Sequence, residues 1–332
     1  MPARSDRSEA DGGFPVLHVT DIPPKPKDAQ WLVEPLFAAC GVGIVGGVPK
    51  SLKTWLAAEL ALAVASGGQA LGRFAARQQG PVLVFAAEDG GPDMRIRFEA
   101  VALARGVNLA KVPLLWLDLV DLHLDDPRQL KRLRATVARL KPRLLVLDPF
   151  VRLVARVDEN SAQDVSAVLG ALRSLQREYE VAVLVVHHMR KSPARHLGQA
   201  LRGSGDFAAW SDSGLYLLRR SQDLVVLAIE HRAAPPPGLL RLHLCSQPAP
   251  HLVAEDLDAP PPSPATIAVE PLEADLLECL RLGRRPQSTV ELRAALHVRK
   301  AKLLDSLRHL RQRGLVGHDE AGWTLASSSS TR

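Results

Sequence analysis

An α/β fold on a mostly parallel sheet, followed by a small helix-rich unit, is what this sequence predicts. Three observations carry it. Apolar runs of strand length alternate with helix-length segments from residue 41 onward, the pattern of buried strands covered on both faces. Six prolines then fall between Pro248 and Pro264, the signature of an extended, semi-rigid linker. Beyond them, residues 270–326 have their own apolar periodicity and run into a Ser-rich tail.

Residues 1–25 read as a flexible tail, polar and charged at the start and without the apolar middle of a signal peptide. Over 14–40, short apolar runs mixed with prolines end in Trp31-Leu32-Val33 and Leu36-Phe37, a lead-in expected to pack on the main domain. The strands expected next are 41–46, 81–87, 113–117, 144–148 and 181–186. Between them lie helices over 55–65, 93–105, 127–140 and 164–179. The first helix is stopped by Ser66-Gly67-Gly68. From 213 to 244 the strand candidates 213–218 and 223–229 follow each other with no helix between, so antiparallel strands close one edge. The expected organisation is a main domain over 26–247, a linker over 248–269, a small domain over 270–326 and a tail over 327–332.

Composition narrows the class. The 332 residues suffice for one large core and a small accessory domain. Three cysteines, with no CxxC pair, argue against disulfide and zinc frameworks and fit a reducing cytoplasm. No apolar run of 18 residues or more predicts a membrane span. Of the net charge of +6, much is local. Residues 281–313 hold ten Lys/Arg against Glu291 and Asp305. Such a block is either a solvated helix face or a contact for an anionic partner such as DNA.

The chemistry concentrates at strand ends. Gly47, Val48, Pro49, Lys50, Ser51, Leu52, Lys53 and Thr54 follow the first core strand and open a helix. The phosphate-loop pattern G-x-x-x-x-G-K-[ST] uses backbone amides to wrap phosphates, a lysine to reach the outer ones and a hydroxyl for magnesium. Gly47, Lys53 and Thr54 hold their places, while Leu52 replaces the second glycine. It must either keep a negative φ or tolerate strain. The strand before and helix N-terminus after favour an anion there. ATP with Mg2+ is the ligand expected. Asp148 ends an apolar strand at the sheet's carboxyl edge, placed to hold a water on magnesium. Glu88, with Asp89 next to it, follows another strand and is the candidate to activate water. His187 or His188, at a third strand end, could sense the γ-phosphate.

Together these residues resemble the RecA-like ATPases of the plasmid RepA and DnaB-type replicative helicase group. Four stretches carry the likeness: GVPKSLKTWLAAELALAVASG, AAEDG, LLVLDPFVRLVARVDENSAQDV, and VVHHMRKS followed by LRGSGDFAAWSDSGLYL. It spans about residues 26–245. The resemblance implies a RecA-like P-loop core, and rings, commonly hexamers, in which an arginine completes the neighbour's site. Arg232 matches the late arginine of a K-x-R pattern whose lysine is replaced by Glu230; Arg202 is the competing candidate. The loop holding Arg190, Lys191, Arg195, His196 and Arg202 would line a channel and touch single-stranded DNA, binding more weakly as salt rises.

In the last unit, helical patterns over 274–282, 288–296 and 300–313 precede a two-stranded hairpin, the make-up of a winged helix-turn-helix. Ser288 or Thr289 caps the second helix. Arg299, Lys300, Lys302, Arg308 and Arg311 suit phosphate and groove contact. Winged helices also dock proteins. The leading expectation is a ring-forming, DNA-acting ATPase of replicative-helicase type. The other is a non-motor DNA-binding regulator or loader that uses ATP for assembly.

Overall fold

The computed structural model describes residues 16–24, 26, 30–154, 162–189, 201, 206–219, 224–256, 271–283, 285–296, 298–312, 315–319 and 322–325. The chain forms two units, Met1–Asp258 and Ala259–Arg332.

The first unit opens with a single 3-10 turn, Val19–Asp21, inside the expected tail. A small antiparallel pair follows, β1 (Trp31–Val33) and β2 (Phe37–Ala38), with Leu32, Val33, Leu36 and Phe37 buried. Next come β3 (Val42–Gly47), α1 (Lys53–Ser66), the short pair β4 (Gln69–Ala70) and β5 (Phe74–Ala75), and β6 (Val82–Ala86). They lead to α2 (Gly91–Ala104), β7 (Leu114–Trp116), α3 (Pro127–Leu140), β8 (Leu144–Asp148), α4 (Ala162–Tyr179) and β9 (Ala182–His188). The unit ends with α5 (Asp206–Trp210) and four consecutive strands, β10 (Ser213–Arg219), β11 (Val225–His231), β12 (Leu240–Cys245) and β13 (His251–Asp256).

Among the described residues these make one nine-stranded sheet, ordered β13-β12-β11-β10-β3-β9-β8-β6-β7. The strands from β10 through β3 to β7 run parallel, and β11, β12 and β13 extend the sheet antiparallel. Alternate residues of each central strand feed two separate cores. Val45, Val84, Val146 and Val186 pack against α1 and α2, whereas Ile44, Phe85, Leu147 and Val185 pack under α3 and α4. Both faces are dry, which is why these strands read as unbroken apolar runs rather than alternating ones. Helix α1 is buried on nearly every side, so its sequence is alanine and leucine all round. Helix α3 covers the sheet with one stripe, burying Leu133 and Val137 four residues apart.

One boundary needs correction. The linker expected over 248–269 is entered by β13, fully registered on β12 from Leu240↔Asp256 to Cys245↔His251. Pro248 and Pro250 form the turn before it, and its pairing partner was not visible from local pattern. The outer edge of β13 is closed by side chains. Buried Glu59 on α1 accepts from the Leu252 amide at 2.9 Å, the Leu71 amide at 3.1 Å and the Arg105 guanidinium, which also donates to the Leu252 carbonyl. A buried carboxylate is tolerable only when so fully matched.

The second unit holds α6 (Pro271–Leu282), α7 (Thr289–Leu296), α8 (Lys300–Gln312) and the antiparallel pair β14 (Val316–Asp319) and β15 (Gly322–Leu325). Leu276, Leu280, Leu292, Leu303, Leu307, Leu310, Val316 and Trp323 form its core. Ser288 and Glu291 make a reciprocal cap on α7: the Ser288 amide donates to Glu291 at 2.8 Å, and the Glu291 amide to Ser288 Oγ at 3.3 Å.

Candidate nucleotide site

Parallel pairing brings the ends of β3, β6, β8 and β9 to one edge, with Gly47 beside His188 and Ala86 beside Asp148. Here open α/β sheets bind ligands. The residues after Gly47 turn sharply into α1. A side chain at Gly47 would strike Ser51 Oγ at 2.3 Å, so the loop folds back too tightly for a Cβ there. Lys50 (φ 62°) and Leu52 (φ 72°) are both left-handed. Of the two outcomes open to Leu52, the strained one holds: it adopts the conformation a glycine would take. Each such residue costs about 1–2 kcal/mol. Two contacts hold the turn: Leu52 packs on the core beneath α1, and Arg219 at the end of β10 donates to the Lys50 carbonyl at 2.5 Å.

Lys53, nearly buried, donates to the Val48 carbonyl at 3.0 Å. Burial depresses its ammonium from the ordinary lysine value, opposed by Asp148 and Glu88. Asp148 is nearly buried too, and burial raises its carboxyl to about 6, against a hydrogen bond with Thr54 that pulls the other way. Its Oδ2 has no hydrogen-bond partner. A hydroxyl beside a buried carboxylate with an unmatched oxygen is a hard oxygen donor set that fits Mg2+. Among the described residues no group of three or more His, Cys, Asp or Glu could cage a metal alone. The set therefore suits a cation shared with phosphates and water.

Pro49, Lys53, Trp55, Asp89, Asp148 and His188 bound a cavity of ≈ 460 Å³. Glu88 stands at its mouth, half-exposed and 3.5 Å from Arg152. Asp89 binds Arg97 at 2.7 Å, and that guanidinium lies over the Trp55 ring, 5.2 Å from its centroid. Sequence reasoning missed Arg97, Trp55, Arg152 and Arg219. The one available signal was for Arg97, three residues after Met94, whose burial sets the inward face of α2.

The two histidines separate. His188 faces the pocket. His187 is fully buried on the opposite face, its ring stacked on Phe207 at 4.1 Å and edge-on to Phe150 at 5.7 Å. Successive strand residues point to opposite faces, so only one could reach the ligand, and the expectation for His187 is corrected.

Arg232 is also not at this pocket. It follows β11, which runs antiparallel to β10, and so lies at the amino edge of the parallel strands. Its Nε is 3.5 Å from Asp212, and it donates to the Ala209 carbonyl. Asp212 also takes Arg173 at 2.5 Å and the Val42 amide at 3.0 Å. Glu230 hydrogen-bonds the buried Tyr216, whose hydroxyl is pushed above its usual range first by burial. Arg232 is thus remote from its own chain's pocket; the role expected for it was at a neighbour's site. Arg190, Lys191, Arg195, His196 and Arg202 lie outside the described residues. Arg299, Lys300 and Lys302 sit exposed where α8 begins.

The family model of the AAA domain matches residues 6–194. Among solved structures, the RadB recombinase aligns with a TM-score of 0.48 at 20% identity, covering 67% of this chain and 93% of that one. A DnaB-like replicative helicase gives 0.46 at 15%, covering 63% and 56%. A KaiC-like protein from the hyperthermophilic archaeon Pyrococcus horikoshii gives 0.45 at 15%, covering 68% and 93%. No curated protein matches.

Proposed function

The chain belongs to the AAA domain family, and from that premise we propose that it is a magnesium-dependent ATPase acting on DNA as a ring, of the replicative-helicase kind. The observation that carries this reading is the buried Asp148, hydrogen-bonded to Thr54 with an unmatched oxygen, beside Lys53 under a strained turn. Thr54 and Asp148 would hold Mg2+, which when bound draws charge from the β- and γ-phosphate oxygens. Amides of residues 47–54 and Lys53 grip the triphosphate. Glu88 takes the proton of the attacking water, and His188 reads the γ-phosphate from the next strand end. Arg232, at the far edge of the strands, or Arg202 would complete a neighbour's site in a hexamer.

The second unit, three helices and a hairpin, fits a winged helix, with Lys300 and Lys302 on its DNA-facing helix and Arg299 just before it. Arg190, Lys191, Arg195 and Arg202 would add single-strand contacts in the channel. DNA-stimulated hydrolysis by the full chain, lost in Lys53→Ala, is the expected result; binding of ATP without any turnover at any Mg2+ concentration would sink the reading. A non-motor regulator or loader is favoured by one observation: Glu230 stands in the place of the pattern's lysine. Hydrolysis without strand separation in an unwinding assay selects that alternative.

A further inference from the structure

Three carboxylates converge on the pocket, and each has a different partner. Asp89 is held by Arg97 and Asp148 by Thr54. Glu88 meets Arg152, Nε to Oε1 at 3.5 Å, its one ion-pair partner among the described residues. Arg152 is not on a loose loop. It ends the 3-10 turn Phe150–Arg152 directly after β8, between two side chains, Phe150 and Leu153, that are both fully buried. The turn is closed by the Arg152 amide on the Pro149 carbonyl at 3.1 Å and the Leu153 amide on the Phe150 carbonyl at 2.8 Å. It is tied outward by the Leu124 amide on the Leu153 carbonyl at 2.7 Å. The other partner is equally fixed: Ala86 is registered on Asp148, and the Ala87 amide donates to the Asp148 carbonyl at 2.8 Å. Hydrogen-bonded backbones thus present Arg152 and Glu88 on adjacent strand ends, with their charged groups 3.5 Å apart.

We propose that Arg152 is a positioning residue that holds the Glu88 carboxylate over the pocket mouth, where it accepts the proton of the attacking water. This rests on the hydrolytic reading of the site. Water oxygen bonds to the γ-phosphorus, the bond to the bridging oxygen breaks, ADP leaves with that oxygen, and the water's proton passes to Glu88. A half-exposed pair of this kind contributes at most about 1 kcal/mol to stability, so its effect should appear in turnover rather than folding.

The test uses the full chain with Mg2+-ATP and single-stranded DNA. Arg152→Ala should lower kcat about 10- to 50-fold while KM and the Kd of a fluorescent ATP analogue stay within about 3-fold, the mark of an interaction made in the transition state. Arg152→Lys, which keeps the charge, should recover most of that loss. Because Arg152 acts through Glu88, adding Arg152→Ala to Glu88→Gln should change the residual rate less than about 2-fold. Independent, multiplying effects of the two substitutions, an effect on KM alone, or no effect of Arg152→Ala would overturn the proposal while leaving the ATPase reading intact. A wild-type chain that binds ATP and never hydrolyses it would remove both.

Discussion

The two ends of the parallel strands are built on opposite principles. At the carboxyl ends, Lys50 and Leu52 hold left-handed backbones, Asp148 carries an oxygen without a partner, and Lys53 turns back onto its own loop. At the amino ends left-handed backbone also occurs, at Cys40, Lys141 and Glu180, but the polar side chains there are matched. Asp212 is engaged by Arg173, Arg232 and the Val42 amide, and His231 bridges Ser213 and the Pro35 carbonyl. Unmet bonding capacity gathers where a ligand can relieve it, and matched charge gathers where the fold must simply hold. The contrast assigns roles that residue type alone does not, since both ends are rich in Asp, His and Arg.

The comparison can be broken by substitution. The largest effect should come from Lys53→Ala, with ATP turnover falling about 10³-fold and little change in melting, since its bonding partner is a loop carbonyl. Next, Asp212→Ala at the complete end should destabilise the fold by about 3–5 kcal/mol by leaving Arg173 uncompensated, read as a lowered urea midpoint. Comparable melting curves for the two variants would erase the distinction.

Asp148 gives a third test, and its sign is the reverse of a usual surface carboxylate. Its folded value of about 6 exceeds the unfolded one, so the folded state favours the protonated acid. Stability from this group is present at low pH and is lost as pH rises from about 4 to 6, by on the order of 2–3 kcal/mol. Asp148→Asn should therefore abolish hydrolysis yet melt higher than wild type at pH 7.5 without nucleotide. A lower melting point would show that the ionised carboxylate is matched after all. The smallest effect is expected from Leu52→Gly, which relieves about 1 kcal/mol of backbone strain but gives up core packing and adds unfolded-state freedom. The melting temperature should move by only a few degrees, with ATP affinity shifting less than about 10-fold.

Much of the site was legible because strand ends are. Asp148 closes an apolar run that the structure forms over the same residues, and α3 spans the residues its apolar stripe predicted. What stayed hidden depends on register or on distant packing. Whether His187 or His188 faces α1 is decided by pairing with β3, not by the doublet itself. The left-handed φ of Leu52 belongs to a turn so tight that a Cβ at Gly47 would strike Ser51 Oγ. Arg152 meets Glu88 only because β8 and β6 end side by side, and Arg97 reaches Trp55 only because α2 packs on α1. The last strand was missed because prolines flank it, and its partner, β12, settles the matter only in three dimensions.

The hold of Glu59 on β13 has a practical reach. A shortened first domain stopped at residue 247, where the prolines invite a cut, would delete the Leu252 amide and carbonyl from that cluster. It would strand part of a carboxylate's bonding inside the protein and bare the flank of β12 to any passing strand. Such a fragment should precipitate or misassemble, whereas one carried past Asp256 keeps its seal. Anyone expressing the catalytic portion by itself inherits that choice of stop codon.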